Sequence, residues 1–231
     1  MLAPGSRIHV LGACGTAMAT FAAMLKDRGH LVRGSDQDVY PPMSELLAEK
    51  GIELRAPYGE SNLDDPQPDL VVVGNAIPRG NAEMEAVLDR GIRGLATYLR
   101  GRMAHADSPM DAIREWIRGI AAQAGDPDGA QATRPFVLAR GKLAESFPAE
   151  VARSATQIKA PLRAALERAV DMGEAPEADP ERDSEALYLL MMGFVEARLL
   201  EGRIPQRDEV AHLETFILSG LSRGTDLEDL P

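Results

Sequence analysis

Residues 7–36 read RIHVLGACGTAMATFAAMLKDRGHLVRGSD, and this stretch decides the fold of the first half of the chain. The apolar, β-branched run at residues 7–11 predicts a strand. Residues 17–28 carry apolar side chains at helical spacing and stop at Gly29, a residue typical of helix C-termini. Residues 30–34 then predict a second strand. A strand, a helix and a strand in this order predict a parallel pair joined by a right-handed crossover.

The same alternation continues outward from this stretch to about residue 95. It predicts helices at residues 43–50 and 81–90 and strands at residues 52–54 and 69–74. The run at 69–74, DLVVVG, is apolar without alternation, as expected of a strand covered on both faces of a sheet. Residues 1–95 are therefore predicted to form a Rossmann-like α/β domain with a parallel sheet.

Strand patterns are absent after about residue 101, and the second half is predicted to be all-helical. The boundary is expected near residues 93–108, the helical domain over 101–224, and a frayed acidic tail over 225–231. The predicted helices cover residues 110–124, 130–147, 149–173, 182–201 and 208–223.

Composition excludes several classes of protein. The 231 residues are 45% hydrophobic and carry a formal net charge of −11, which is typical of a globular chain. Neither half has the surplus of Lys and Arg that direct binding of nucleic acid requires. No apolar run approaches a membrane span, and the first residues lack a secretory pattern, so a cytoplasmic location is expected. A single cysteine excludes an internal disulfide, and neither it nor the four histidines show the spacing of metal ligands.

The turn after the first strand is a candidate anion site. Gly12 and Gly15 allow the backbone to turn tightly, and the helix that follows leaves amide groups for a phosphate. The pattern is not the dinucleotide fingerprint, because Cys14 stands at its middle glycine position. From spacing alone, a structural turn and a phosphate site are equally good interpretations.

Two further strand ends are expected at the same edge of the sheet. Asp36 follows the second strand, where such folds often bind a ribose, although it could simply begin a turn. The loop at residues 74–81 supplies Asn75, Arg79 and Asn81, of which Asn81 could instead cap the next helix. Three polar loops at one edge favour a ligand site.

These residues also resemble a known family. Residues 6–92, and in particular YPPMS at 40–44 and GNA at 74–76, are similar to the N-terminal domain of the Mur ligases, with the muropeptide ligases as the nearest subgroup. The resemblance implies that Gly12 to Met18 receive the pyrophosphate of a UDP-sugar, residues 35–36 its uridine side, and the third loop its sugar-phosphate region. The candidate UDP-sugar-binding residues are Gly12, Cys14, Gly15, Thr16, Ala17, Met18, Ser35, Asp36, Asn75, Ala76, Arg79 and Asn81.

The helical half resembles a second family. Residues 101–223 are similar to the C-terminal effector-binding and dimerisation domain of tetracycline-repressor (TetR) regulators, without their DNA-reading head. Helix 182–201 is predicted to be apolar on two sides and helix 208–223 to carry a similar apolar row, which favours a homodimer closed by a four-helix bundle over one larger monomeric bundle. A second small effector could bind this half in a cavity, although aromatic and Met residues at helical spacing usually form an ordinary core. These residues are Trp116, Phe136, Phe147, Met172 and Met191.

The two resemblances leave three functional hypotheses. No G-x-x-x-x-G-K-[ST] motif occurs in the sequence, so acyl-phosphate chemistry with ATP and Mg²⁺ is expected only if a ligase central domain is supplied separately. The sequence therefore favours a non-catalytic dimeric protein that binds UDP-N-acetylmuramate or a muropeptide precursor on a repressor-like body, with no cofactor of its own and no catalytic residues. The alternatives are a partial muropeptide ligase of peptidoglycan recycling, and a transcription regulator that acts by heterodimerisation.

Overall fold

The computed structural model describes residues 3–222, which divide into two compact units, Met1–Gly91 and Ile92–Pro231. The predicted tail at 225–231 and the predicted helical position Arg223 lie outside the described residues. No helix in the described part of the chain is long and apolar enough to cross a membrane.

The first unit is built on four parallel strands in the order β3-β2-β1-β4. Its parallel α/β architecture is as predicted, and the observed bounds of its strands differ from the expected ones by at most one residue. The strands are β1 (Arg7–Leu11), β2 (Leu31–Ser35), β3 (Glu53–Arg55) and β4 (Leu70–Val73).

Strand β1 is the buried centre of the sheet, because Ile8, Val10 and Leu11 are at most 1% exposed. The expectation that residues 69–74 are covered on both faces was wrong. Strand β4 lies at the edge of the sheet, its first three residues are half-buried and Val73 is exposed. Its continuous apolar run is therefore not the mark of a central strand in this sheet.

Helices α1 (Thr16–Asp27) and α2 (Met43–Glu49) connect the strands and bury Ala19, Ala22 and Leu47 against them. A short 3₁₀ helix at Glu60–Leu63 precedes β4. Helix α3 (Ala82–Met103) differs from the prediction, which ended it at residue 90. It continues through the expected boundary because Leu99 and Met103 are buried in the apolar core of the second unit.

The second unit is all-helical, as predicted. Its central helix is α4 (Pro109–Gly125), and the fully buried Trp116 donates its indole N–H to the carbonyl oxygen of Ile158, 3.1 Å away. The remaining helices are α5 (Pro127–Leu138), α6 (Arg140–Ser146), α7 (Pro148–Asp171), α8 (Pro180–Glu201) and α9 (Arg207–Ser222).

One predicted helix, residues 130–147, is two helices. It starts earlier because the Asp126 carboxylate accepts the amides of Asp128 and Gly129 and so caps α5. It breaks at Ala139, which is both the C-terminal cap of α5 and the residue before the first turn of α6.

Candidate functional site

The candidate site lies at the carboxyl ends of β2, β1 and β4, which are neighbours in the sheet. The chain runs outward from β1 to β3 and then returns to the other side of β1. This reversal places a topological switch between β1 and β4, where parallel sheets commonly bind ligands. All three predicted loops therefore meet at one edge.

The loop after β1 is folded by its own backbone. Gly12 adopts a left-handed φ of +76°, and the Gly12 and Ala13 amides donate to the Ser35 carbonyl oxygen at 2.9 and 3.0 Å. The Gly15 amide donates to the Gly12 carbonyl oxygen at 3.1 Å. These bonds hold the loop against the end of β2 and direct the chain into α1.

The start of α1 is open to solvent. Gly15, Thr16 and Ala17 are exposed, and Met18 is half-buried. Gly15 occupies the N-cap position with extended backbone, and no side chain of the described residues caps the first turn. The first turn of a helix carries amides without intrahelical partners and a positive partial charge, so this end can receive an anion.

The carboxylate of Asp36 is engaged within the protein. Its Oδ2 accepts the Cys14 amide at 2.8 Å, and its Oδ1 accepts the Gln37 amide at 2.8 Å and the Tyr58 hydroxyl at 3.1 Å. Burial and the neighbouring Asp36 carboxylate raise the pKa of Tyr58 well above its usual range, so its hydroxyl remains a donor. Asp36 thus holds in place the loop at residues 12–15, which is called the glycine loop below. A contact between Asp36 and a ribose stays a prediction.

Cys14 and Ser35 lie beneath the loop rather than on its surface. Cys14 is 3% exposed, and burial, reinforced by the Asp36 charge, raises the pKa of its thiol despite the nearby Tyr40 amide. Ser35 is fully buried and donates its hydroxyl to Glu83 Oε1 at 2.6 Å. In this structure the Ser35 side chain therefore belongs to the interior of the first unit, which is called the sheet unit below.

The loop after β4 presents exposed and buried candidates. Asn75, Ala76 and Arg79 are exposed. Asn81 is 5% exposed, and its Oδ1 accepts the Met84 amide at 2.8 Å. Of the two interpretations left open for Asn81, the structure shows the helix cap.

Several polar residues near the site were missed by the sequence analysis. Glu83 and His9 are both fully buried, and His9 Nε2 lies 2.5 Å from Glu83 Oε1. Asn62 Nδ2 and the Gly59 amide donate to Glu83 Oε2 at 2.8 and 3.1 Å. The available signal was His9 itself, because a polar residue inside an apolar strand needs a buried partner.

The aromatic and Met residues considered for an effector cavity are divided between buried and exposed positions. Trp116 and Met191 are in the core, whereas Phe136 and Met172 are 39% and 66% exposed. A cavity of about 580 Å³ lies instead between α8 and α9, lined by Phe194, Arg198, Asp208, Glu209, His212 and Leu213. Within residues 3–222, no group of three or more His, Cys, Asp or Glu is placed to hold a metal ion.

Comparison with known proteins matches the sheet unit. Residues 7–106 match the Mur ligase family, catalytic domain. Over 86 residues the chain is 56% identical to the UDP-N-acetylmuramate--L-alanyl-gamma-D-glutamyl-meso-2,6-diaminoheptandioate ligase of Escherichia coli K12, and 49% identical to that of Haemophilus influenzae. Each alignment covers 37% of this chain and 19% of the relative, so the chain spans about a fifth of the length of these curated relatives.

A solved structure gives a similar result at the level of sequence. A murein peptide ligase from Psychrobacter arcticus is 37% identical, with a TM-score of 0.36, covering 51% of this chain and 27% of that one. The family match and the two ligase relatives support the resemblance of the first unit to the N-terminal domain of the Mur ligases. The resemblance of residues 101–223 to tetracycline-repressor regulators gains no support from these comparisons and stays a prediction.

Proposed function

We propose that this chain is a partial muropeptide ligase whose sheet unit binds UDP-N-acetylmuramate, and that ATP chemistry is supplied by separate domains. The observation that carries the proposal is the open start of α1 at the switch point of the sheet. Its exposed first-turn amides can receive the diphosphate, while the loop after β4 contributes polar side chains at the same edge. The 56% identity to a ligase of UDP-N-acetylmuramate names the ligand class.

This assignment favours one of the hypotheses raised by the sequence over the others. A non-catalytic UDP-sugar sensor would use the same binding step, but it needs a repressor-like body that the comparisons do not support. A regulator that acts by heterodimerisation also needs this repressor-like half. Similarity to ligases is the feature that separates the three.

Calorimetric titration of the full chain with UDP-N-acetylmuramate tests the proposal. We expect saturable binding by the wild type and a loss of about tenfold or more in Thr16→Asp, because a carboxylate at the helix start repels the diphosphate and competes for the same amides. An acidic residue at a helix start also stabilises the helix, so weakened binding would not result from unfolding. Thr20→Asp, on an exposed position one turn later, is the matched control and should bind nearly as the wild type does.

Two results would overturn the proposal. Wild-type protein that gives no heat at saturating UDP-N-acetylmuramate removes the binding function. Ligand-dependent ATP hydrolysis should appear when the chain is mixed with the central and C-terminal domains of a Mur ligase, and its absence from every such mixture, with binding intact, removes the ligase assignment.

A further inference from the structure

The segment from Pro57 to Leu63, between β3 and β4, links a buried carboxylate to the glycine loop. At one end, Gly59 and Asn62 donate to Glu83 Oε2 from the backbone and the side chain. At the other end, the Tyr58 hydroxyl donates to Asp36. Tyr58 and the adjacent Gly59 are therefore held by two different carboxylates, those of Asp36 and Glu83.

Glu83 is a strong anchor because its buried charge is hydrogen-bonded at both carboxylate oxygens. Burial opposes its ionisation, but hydrogen bonds from His9, Ser35, Asn62 and Gly59 outweigh burial and lower its pKa. Its Oε1 accepts Ser35 and faces His9 Nε2, while Arg33 Nε donates to His9 Nδ1 at 3.3 Å. Since Nδ1 accepts, the ring proton lies on Nε2 and points at Glu83. Charge-assisted hydrogen bonds of this kind are stronger than neutral ones.

Tyr58 transmits this anchoring to the loop. Its hydroxyl binds Asp36 Oδ1, while Asp36 Oδ2 holds the Cys14 amide. The hydroxyl oxygen also lies 3.7 Å from the position that a Cβ on Gly12 would occupy, so Tyr58 packs over the turn itself. The positions of the loop and of the helix start that follows it thus depend on Tyr58.

We infer that Tyr58 and Glu83 are positioning residues for the nucleotide-sugar site: Glu83 fixes the 57–63 segment, Tyr58 fixes Asp36, and Asp36 fixes the loop that presents the first-turn amides of α1 to a diphosphate. The inference rests on the proposed function. Neither residue needs to contact the ligand, because each acts through the next hydrogen bond in the series.

Tyr58→Phe is the sharpest test, because it removes the hydroxyl and keeps the ring. Loss of a hydrogen bond to a charged group corresponds to about a tenfold change in an opening equilibrium. Amide hydrogen exchange in the ligand-free full chain should therefore quicken about tenfold at Cys14 and stay unchanged at Val10 in β1. A general loss of stability would quicken both amides, so the difference between them reports positioning. UDP-N-acetylmuramate affinity should fall several-fold, because Asp36 no longer fixes the loop in the geometry that presents the amides.

Two further variants make the test specific. Asn62→Ala releases the segment without touching Tyr58 or Asp36, and should move Cys14 exchange and affinity in the same direction by a smaller factor. Tyr98→Phe removes a hydroxyl that accepts from Arg102 in the second unit, and should change neither.

The outcomes separate the two proposals. Unchanged exchange at Cys14, or quickened exchange with unchanged affinity, overturns the positioning role and leaves the proposed function standing. A wild-type chain that does not bind UDP-N-acetylmuramate overturns both. Quickened exchange at Cys14 together with weakened binding supports the inference.

Discussion

Gly34 determines how closely the glycine loop can approach the sheet. A Cβ on residue 34 would lie 2.4 Å from the Cβ of Ala13 and 3.0 Å from the carbonyl oxygen of Val10. Both neighbours belong to the strand and loop that lead into α1. The absence of a side chain at this one position therefore allows the Ser35 carbonyl to reach the loop amides.

Gly34→Ala should destabilise the sheet unit by roughly 1–3 kcal/mol, the usual cost of overpacking a close contact. The free energy of opening measured by amide exchange in β1 gives the change for this unit alone. Gly141→Ala, on exposed α6 with open space around the new methyl group, is the control and should be neutral or slightly stabilising. Equal exchange in the wild type and Gly34→Ala would contradict the expected clash.

Single residues at the site were predictable by position but not by partner. The sequence places Asp36 and Ser35 at the end of β2, where they are found. It does not show that Asp36 binds Tyr58 or that Ser35 binds Glu83, 48 residues away. These partners come from segments whose approach depends on the folded sheet, so a local pattern carries no signal for them.

At the scale of elements, helix α3 shows where local signals fail. Glycines at positions 91 and 94 favour a helix end, and the prediction stopped at residue 90. The helix continues because Leu99 is fully buried and the added turns cover apolar surface. Burial of Leu99 and Met103 is worth about 1.5–3 kcal/mol for each side chain, against a cost of roughly 1 kcal/mol for each of the two glycines.

Asn81→Ala should destabilise the start of α3 by about 1 kcal/mol, because the Met84 amide loses its acceptor. Asn81→Ser keeps a capping oxygen and should retain most of the stability. Amide exchange at Met84 measures the cap directly, and titration with UDP-N-acetylmuramate measures the ligand role implied by the resemblance. Weak binding by a well-capped Asn81→Ser would show that Asn81 also serves the ligand.

The buried carboxylate on α3 should make the sheet unit sensitive to acid. The pKa of Glu83 is lower in the folded chain than its ordinary value of 4.5, so the unfolded chain takes up a proton first as pH falls. Its contribution to stability is therefore complete above the ordinary value and is lost below it. Glu83→Gln should cost roughly 1.5–3 kcal/mol near pH 7, and the difference from wild type should shrink as pH falls below about 4.5.

Amide exchange or chemical denaturation of the sheet unit at several pH values measures this effect. Glu85→Gln, two residues away and half-buried, is the control and should follow the wild-type profile. A Glu83→Gln deficit that stays constant down to pH 3 would contradict a depressed pKa.

For the whole molecule, the predicted homodimer remains a prediction with a defined surface. Helix α8 exposes Leu189, Leu190 and Leu200 at 56%, 38% and 54%. Gly193 lies midway, and a Cβ there would meet nothing within 4 Å. A second copy crossing α8 in the opposite direction would bring its Glu201 to Arg182, so the two ends are complementary in charge.

Light scattering after size exclusion should give twice the chain mass of 24.9 kDa. Gly193→Gln should shift the protein to the monomer. The single chain has room for the new side chain, whereas a close contact between the two α8 helices of a dimer does not. Gly101→Gln, which also projects into open space, should remain dimeric. A wild-type protein that is monomeric at all concentrations would exclude this surface as a dimer contact.

The division into a parallel α/β half and an all-helical half could be read from the chain, because a change from β-branched runs to long helical periodicity is a strong and extended signal. By contrast, the ligand of each half depends on only a few residues. The helical half in particular offers the 580 Å³ cavity between α8 and α9, whose lining was not among the residues predicted for an effector.

The buried thiol of Cys14 gives the protein a native chemical probe. It is the single cysteine in the sequence, it lies under the loop, and its raised pKa disfavours the thiolate that attacks electrophiles. A maleimide should therefore label the native chain far more slowly than the denatured chain. The labelling rate is set by how often the glycine loop opens and exposes Cys14. Bound nucleotide should slow the labelling further, so one mass measurement over time can follow this motion without any engineered tag.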